Sequence, residues 1–482
     1  MSARLIPSLA VAVGTATIVL VTQTVGQVQS PPDDPALHTR AHGIHDRVIT
    51  LDTHNDISPA TFTPACNYTM RLTTQVNLPK MIEGGLDVSF MIAYVGQGPL
   101  TPEGYDAAYR EAVAKFDAVH RLTEQIAPDK IGLALAAADV RRIAATGRKV
   151  AVIGIENGYQ MGTDIRRVKE FWDRGGRYMS LAHNGHSQLS DSNTGEGTNQ
   201  WLYGGLSPLG KQVIAEMNKW GIMVDVSHPS KGSMMQAVAL SKAPIIASHS
   251  AARALANVSR NMDDEMLEAL KQNGGVIQTV AFASYVKIDP PERAPALNAL
   301  RQEFGITQPV GGGGRGAAPA GGGAGRGAPA TPPCPVEPAT PAAPAIGPAG
   351  GGRGGAGGGF QAAIDALPAT RRAEYDRRLA EIDAKWPAAG RATVRDFVDH
   401  IDYLVKRIGI DHVGISSDFD GGGGVTGWNS AAETFNVTLE LVRRGYTEEQ
   451  IAKIWSGNLL RVWTEVENVA RAIQAGTRSA GL

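Results

Sequence analysis

Eight short runs of β-branched and apolar residues punctuate this chain, at 47–52, 86–94, 150–155, 178–182, 222–226, 244–247, 276–280 and 412–416. Their lengths suit buried strands. Between them the period changes. Over 164–172, 209–220, 232–240 and 263–271, apolar residues fall three or four apart, as on the inner face of an amphipathic helix. Several of these segments stop at glycine just before the next strand, at Gly175-Gly176, Gly221 and Gly274-Gly275. Glycine accepts the positive φ of a helix end. Strands alternating with helices predict an α/β fold, a closed parallel (β/α)8 barrel over residues 38–475, with an open doubly wound sheet as the alternative.

One stretch breaks the pattern. Residues 311–359 are almost entirely Gly, Ala, Pro and Arg, a composition that buries too little apolar surface to offset its ordering entropy. The pattern on either side belongs to one architecture, so the stretch reads as a disordered insert in the loop after the seventh strand. A tolerated loop is expected there, rather than one that shades the barrel mouth. The N-terminus departs differently. Arg4 precedes an uncharged run from Leu5 to Val21, and Thr24 and Gly26 follow as small residues. Residues 1–30 therefore read as a signal peptide or an uncleaved N-terminal anchor. Export to the periplasm or the outside is expected. No other segment is long and apolar enough to span a bilayer, and the C-terminus carries no hydrophobic tail for a lipid anchor.

Composition adds bounds. At 482 residues and 43% apolar, the chain can bury a large core. Forty-six basic and 47 acidic side chains leave a net charge of -1, and neither a basic surface for nucleic acid nor an acidic tail is visible. Cys66 and Cys334 are too few for a disulfide scaffold and lack metal-site spacing. Both fall in loops expected on the top face, after strands 1 and 7. Export would allow them to pair and pin the insert across the mouth; two free thiols are the alternative.

The polar residues at the strand ends change the picture most. Strand 1 ends in Asp52-Thr53-His54-Asn55-Asp56, strand 3 in Gly154-Ile155-Glu156-Asn157-Gly158, strand 4 at His183, strand 5 at His228, strand 6 at His249, and strand 8 in Asp418-Phe419-Asp420-Gly421. In a barrel all of these converge on one mouth. The remaining histidines, His186 included, read as structural, and Asp420 reads as a turn residue. Imidazoles and carboxylates together suit Zn²⁺, with Co²⁺, Mn²⁺ and Fe²⁺ also compatible. His54 and Asp56 are two apart, so an extended strand turns both to one side. Glu156 has two oxygens and can bridge. Paired metals would polarise a carbonyl and generate a nucleophile near neutral pH.

These blocks, with Leu206-Ser207-Pro208-Leu209-Gly210, Asp225-Val226-Ser227-His228, Ser248-His249-Ser250 and Ser259-Arg260-Asn261, resemble the membrane (renal) dipeptidase family of zinc peptidases, bacterial members included. The resemblance runs from about residue 45 to 465, the insert apart. It implies two zinc ions per chain, one on His54 and Asp56, the other on His228 and His249, with Glu156 bridging. It implies that His183 stabilises the oxyanion, that Arg260 binds the free carboxylate of a small dipeptide, and that Asp418 is general base and then acid. It further implies tolerance of a D-residue on the C-terminal side and a homodimer among the assemblies to expect. Related amidohydrolase barrels open with His-x-His and bridge their metals with a modified lysine; here the first strand has His54-Asn55-Asp56 and the fourth ends at His183, which argues against a deaminase or phosphotriesterase. An amidase acting on N-acyl amino acids or lactams, and a non-catalytic metal-binding barrel, are the competing readings.

Overall fold

The computed structural model describes residues 34–306, 333–338 and 363–477. The expected signal segment and most of the Gly-rich insert lie outside the described residues. The barrel strands are β1 (Leu51–Asp56), β2 (Val88–Tyr94), β3 (Lys149–Glu156), β4 (Gly176–Ser180), β5 (Met223–Asp225), β6 (Ile246–Ser250), β7 (Val276–Val280) and β8 (Val413–Ser416). They pair in parallel in that order, and a short strand, Ile131–Leu133, adds to the start of β3. The amide of Asp56 bonds the carbonyl of Phe419 at 2.9 Å, just past β8, and closes the ring. The hydroxyl of Thr53 reaches the carbonyls of Ser248 (2.7 Å) and Ile415 (3.2 Å) and ties β1 to its surroundings.

The first residues of the strands, among them Leu51, Val88, Val150, Met223, Ile246 and Val276, share one apolar cluster with Leu459, Val462, Trp463 and Val466 of the helix Asn458–Gln474. That closes the bottom of the barrel with hydrocarbon. The polar strand ends are therefore left at the other mouth, where barrel sites are built.

Strand 1 is displaced from its expected place. The amides of Arg47 and Val48 bond back to the carbonyl of Ile44, so they finish the helix Pro35–His45 instead of starting the strand. The strand continues through polar Asp52–Asp56 because Asp52 is satisfied inside the barrel: it accepts from the amides of Ser417 (2.9 Å) and His54 (3.3 Å) and from the side chain of Asn55 (2.7 Å). His249 likewise lies within β6. Gly175, Gly221 and Gly274 stop their helices at positive φ, as expected.

Two helices flanking the insert were not anticipated. Arg293–Glu303 and Ala369–Lys385 pair around a small core of Leu300, Phe304, Ile306 and Tyr375. The described part of the insert, 333–338, is fixed to the loop after β1. Cys334 is disulfide-bonded to Cys66 with Cα atoms 5.5 Å apart. The carbonyl of Pro335 accepts from the amide of Thr73 at 2.7 Å, and Glu337 meets Arg71 at 2.8 Å and Lys80 at 2.6 Å. This stretch is therefore tied down locally, in contrast to the expectation of a loose tract throughout. Among the described residues no helix is long and apolar enough to cross a membrane.

Candidate metal centre and active site

Glu156 ends β3 at the middle of the open mouth, buried. Its Oε2 lies 3.3 Å from His54 Nε2, and its Oε1 lies 3.0 Å from His228 Nε2 and 3.3 Å from His249 Nε2. His228 Nε2 and His249 Nε2 approach each other to 3.1 Å. Close by, His54, Asp56 and Asp418 bring ligand atoms within 4.8 Å of one another. The five expected ligands are thus gathered at one place, with Asp418 beside them.

The outer nitrogens of two of these histidines fix their protons. Tyr178 donates its hydroxyl hydrogen to the carbonyl of Thr53 at 3.0 Å, so it can only accept from His54 Nδ1, 2.9 Å away. Ser248 donates to buried Asp225 at 2.7 Å and accepts from His249 Nδ1 at 2.8 Å. Both imidazoles, when neutral, then carry hydrogen on Nδ1 and present a bare Nε2 lone pair to Glu156. His54 Nε2, Asp56 Oδ1 and Glu156 Oε1 are buried with no hydrogen-bond partner. Lone pairs and carboxylate oxygens facing one another in a buried site repel unless a cation sits among them. The donor set therefore fits a metal, in the mixed imidazole and carboxylate environment that suits zinc and its neighbours.

The electrostatics of the protein alone say the same. Burial, the largest single influence, lowers the His54 pKa, but Glu156, Asp418 and Asp56 together outweigh it and raise the group to about 9. Burial alone would push Glu156 up, yet the surrounding imidazoles, His54 and His183 foremost, hold it well below the usual range. His228 and His249 are pressed down, chiefly by burial. Burial raises Asp56 to about 6, with Glu156 adding to it. Burial also raises Asp418 to about 8; His54 opposes this, and Asp56 and Glu156 reinforce it. The site holds positive charge strongly, as a proton in the absence of metal.

The centre opens into a cavity of about 1010 Å³ lined by Asp56, Tyr68, Tyr94, Lys115, His183 and Tyr285 among others. His183 faces it, with Nε2 3.8 Å from Glu156 and Nδ1 3.4 Å from the hydroxyl of Tyr94. Arg260 donates one hydrogen bond to Ser250 at 2.9 Å, while its Nε and Nη2 are buried without partners. Its guanidinium lies 5.5 Å from the centre of the Tyr285 ring. Asn261, in the same block, bonds the carbonyls of Ala256 (2.9 Å) and Tyr285 (2.8 Å) and so fixes the loop that carries Arg260.

The sequence model of the membrane dipeptidase family (peptidase family M19) matches residues 38–477. The chain belongs to that family. A dipeptidase of Claviceps purpurea, tcpJ, is 27% identical over 407 residues, covering 83% of this chain and 72% of its own length. The crystal structure of the probable dipeptidase PvdM from Pseudomonas aeruginosa is 31% identical, with a TM-score of 0.68 over 90% of this chain and 99% of that one. A metallo peptidase from Rhodobacter sphaeroides, crystallised with a phosphinate mimic of L-Ala-D-Ala, shares the fold at 19% identity and a TM-score of 0.60, over 87% of this chain and 99% of that one. The protein is a dipeptidase that works with a bound metal, and the non-catalytic reading is set aside.

Several parts of the dipeptidase site escaped the sequence. Tyr94 ends β2 and so carried the same strand-end signal as the ligands. Ser248 and Ser417 also follow apolar runs and Asp225 stands in the Asp225-Val226-Ser227-His228 block, but they act through a neighbour, so the sequence assigns them no role; Tyr178 lacks any such signal. Other motif residues are structural. Ser207 caps the helix Pro208–Trp220 through the amide of Gly210. His186 accepts from the amide of Ser192 at 3.0 Å and bonds the carbonyl of Gln200 at 3.0 Å. Asp420 is held by the amides of Gln75 (2.9 Å) and Val76 (3.3 Å), as a turn residue should be.

Proposed function

We propose that this dipeptidase cleaves dipeptides with a free C-terminal carboxylate, L,D-dipeptides included, at a centre of two zinc ions. The observation that carries the reading is Glu156, whose oxygens face His54 on one side and His228 with His249 on the other. His54 and Asp56 would hold one ion and His228 and His249 the second, with Glu156 serving both. Bound there, such a pair supplies electrophilic polarisation and a nucleophile at neutral pH.

The chain's own residues do the rest. Arg260 offers Nε and Nη2, two free donors in a planar fork, to the substrate carboxylate. That anchors the C-terminal residue and sets the scissile carbonyl against His183, whose imidazole donates to the oxygen as charge develops on it. Asp418 takes a proton from the attacking water and returns it to the leaving amine. Tolerance of a D-residue is carried over from the family resemblance.

Export is part of the proposal. The Cys66–Cys334 disulfide supports an oxidising compartment, and a signal at residues 1–30, cleaved or kept as an anchor, supplies the route. A homodimer is the proposed assembly, and light scattering on the exported protein checks it.

The experiment is release of free amino acids from L,L- and L,D-dipeptides, with metal content measured before and after chelation and zinc restoration. Cleavage lost on chelation and regained with two zinc ions per chain is expected. Two bound ions without cleavage would turn the reading toward N-acyl amino acids or lactams.

A further inference from the structure

Among the described residues two lysines are nearly buried, and their company differs. Lys80 has the carboxylate of Glu337 at 2.6 Å. Lys115 is 8% exposed, and its ammonium donates to the neutral carbonyl of Tyr94 at 2.5 Å. Its closest carboxylate among the described residues, Glu111, stands 3.9 Å away and is itself more than half exposed. A buried ammonium bonded to a carbonyl keeps much of its desolvation cost until an anion joins it.

Lys115 lines the substrate cavity. It sits 5.2 Å from the centre of the Tyr94 ring, which lies 4.7 Å from that of His183. Lys115 belongs to the helix Pro102–Arg121 after β2, whereas Arg260 is bonded to Ser250 at the end of β6. In a ring of eight strands these two stand on opposite sides of the mouth. Lys115 thus lines the cavity, with Glu111 beside it, and Arg260 is buried on the other side of the centre. An ordinary dipeptide has one carboxylate. With that carboxylate on Arg260 and the scissile bond at His183, the N-terminal residue extends toward Tyr94 and Lys115. Asp56 and Glu156, the other carboxylates near this wall, are assigned to the metals.

We propose that Lys115 is a specificity-determining residue, which binds the side-chain carboxylate of an acidic N-terminal residue, so that dipeptides beginning with Glu or Asp are preferred. This rests on the reading of Arg260 and His183 given above.

The test uses the zinc-loaded full chain and the matched substrates Glu-Ala and Gln-Ala, which differ only in charge and one hydrogen-bonding group. Wild type is expected to favour Glu-Ala by at least about tenfold in kcat/KM, chiefly through KM, as a charge-assisted hydrogen bond in a buried site provides. In Lys115→Met that ratio should collapse to within about twofold, and Lys115→Arg should recover part of it. Equal kcat/KM for the two substrates in wild type would overturn the proposal without any variant. So would an equal fall for both substrates in Lys115→Met, which would mark a structural lysine. Hydrolysis of neither substrate by wild type would instead strike the dipeptidase reading itself, and the proposal with it.

Discussion

Asp418 holds a φ of 59°, in the left-handed region that non-glycine residues rarely occupy. Strain of this kind persists only where the surroundings impose it. Here Gly421 is part of that imposition: a Cβ at 421 would lie 2.3 Å from Asp418 Oδ1 and 2.7 Å from Asp56 Oδ2. The turn is shaped so that the two carboxylates meet. If Asp418 moves the proton, Asp418→Asn should retain bound metal yet lose about 10²–10⁴-fold in kcat; parallel metal analysis and steady-state kinetics check this, and near-normal turnover would refute the role. Arg260 gives a different signature. Arg260→Met should raise KM about tenfold or more for free dipeptides, whereas dipeptide amides, which lack the carboxylate, should respond far less. Equal losses for acids and amides would count against carboxylate binding.

At the scale of elements, the strands do more than carry ligands. β4 supplies Tyr178, which holds His54 of β1, and Asp225 at the end of β5 holds His249 of β6 through Ser248. Gly154 in β3 makes room for the first of these, because a Cβ there would lie 2.4 Å from the Tyr178 ring. Tyr178→Phe removes the acceptor for His54 Nδ1 and leaves the packing. Zinc affinity is expected to fall about 10–100-fold, as for other supports of metal-bound histidines; titration against a competing chelator reads it. An unchanged affinity would mean that packing alone orients His54. Such partners were illegible in the sequence for a physical reason. Ligands announce themselves as polar residues after apolar runs, but Tyr178 occupies an ordinary strand position, and only register between neighbouring strands brings it to His54 and Asp225 to Ser248. The alternation of strand and helix was legible throughout. The start of β1 was not, because a strand entering a polar barrel interior lacks the apolar run that marks its neighbours. The helix pair around Tyr375 was missed because most of its surface is charged and its core is small.

For the whole molecule, acid is a sensitive probe away from the centre. His400 is buried, accepting from the amide of Ala252 at 3.1 Å and bonding the carbonyl of Val286 at 2.8 Å. That pairing requires the neutral ring. Burial lowers the folded pKa below 6.5, and His45 is lowered for the same reason. The unfolded chain therefore binds protons first. Their contribution to stability is complete above pH 6.5 and drains away as the pH falls through the folded pKa values. Urea midpoints measured from pH 7.5 to 5 should decline, and the decline should be shallower in His400→Gln; identical slopes would show that this histidine does not drive the loss.

The ring of strands closes where Asp56 meets Phe419 and where Asp52 receives the amide of Ser417, a contact between residues 365 positions apart. Both halves of that seam carry the chemistry, with His54 and Asp56 on one edge and Asp418 on the other. The nascent chain consequently has no complete site until nearly all of it has been made, and contacts of such long range are among the last to form. A chain threaded through a membrane unfolded would arrive without its metal. If the proposed export holds, metal supply on the far side, rather than in the compartment of synthesis, would set how much of the protein becomes active.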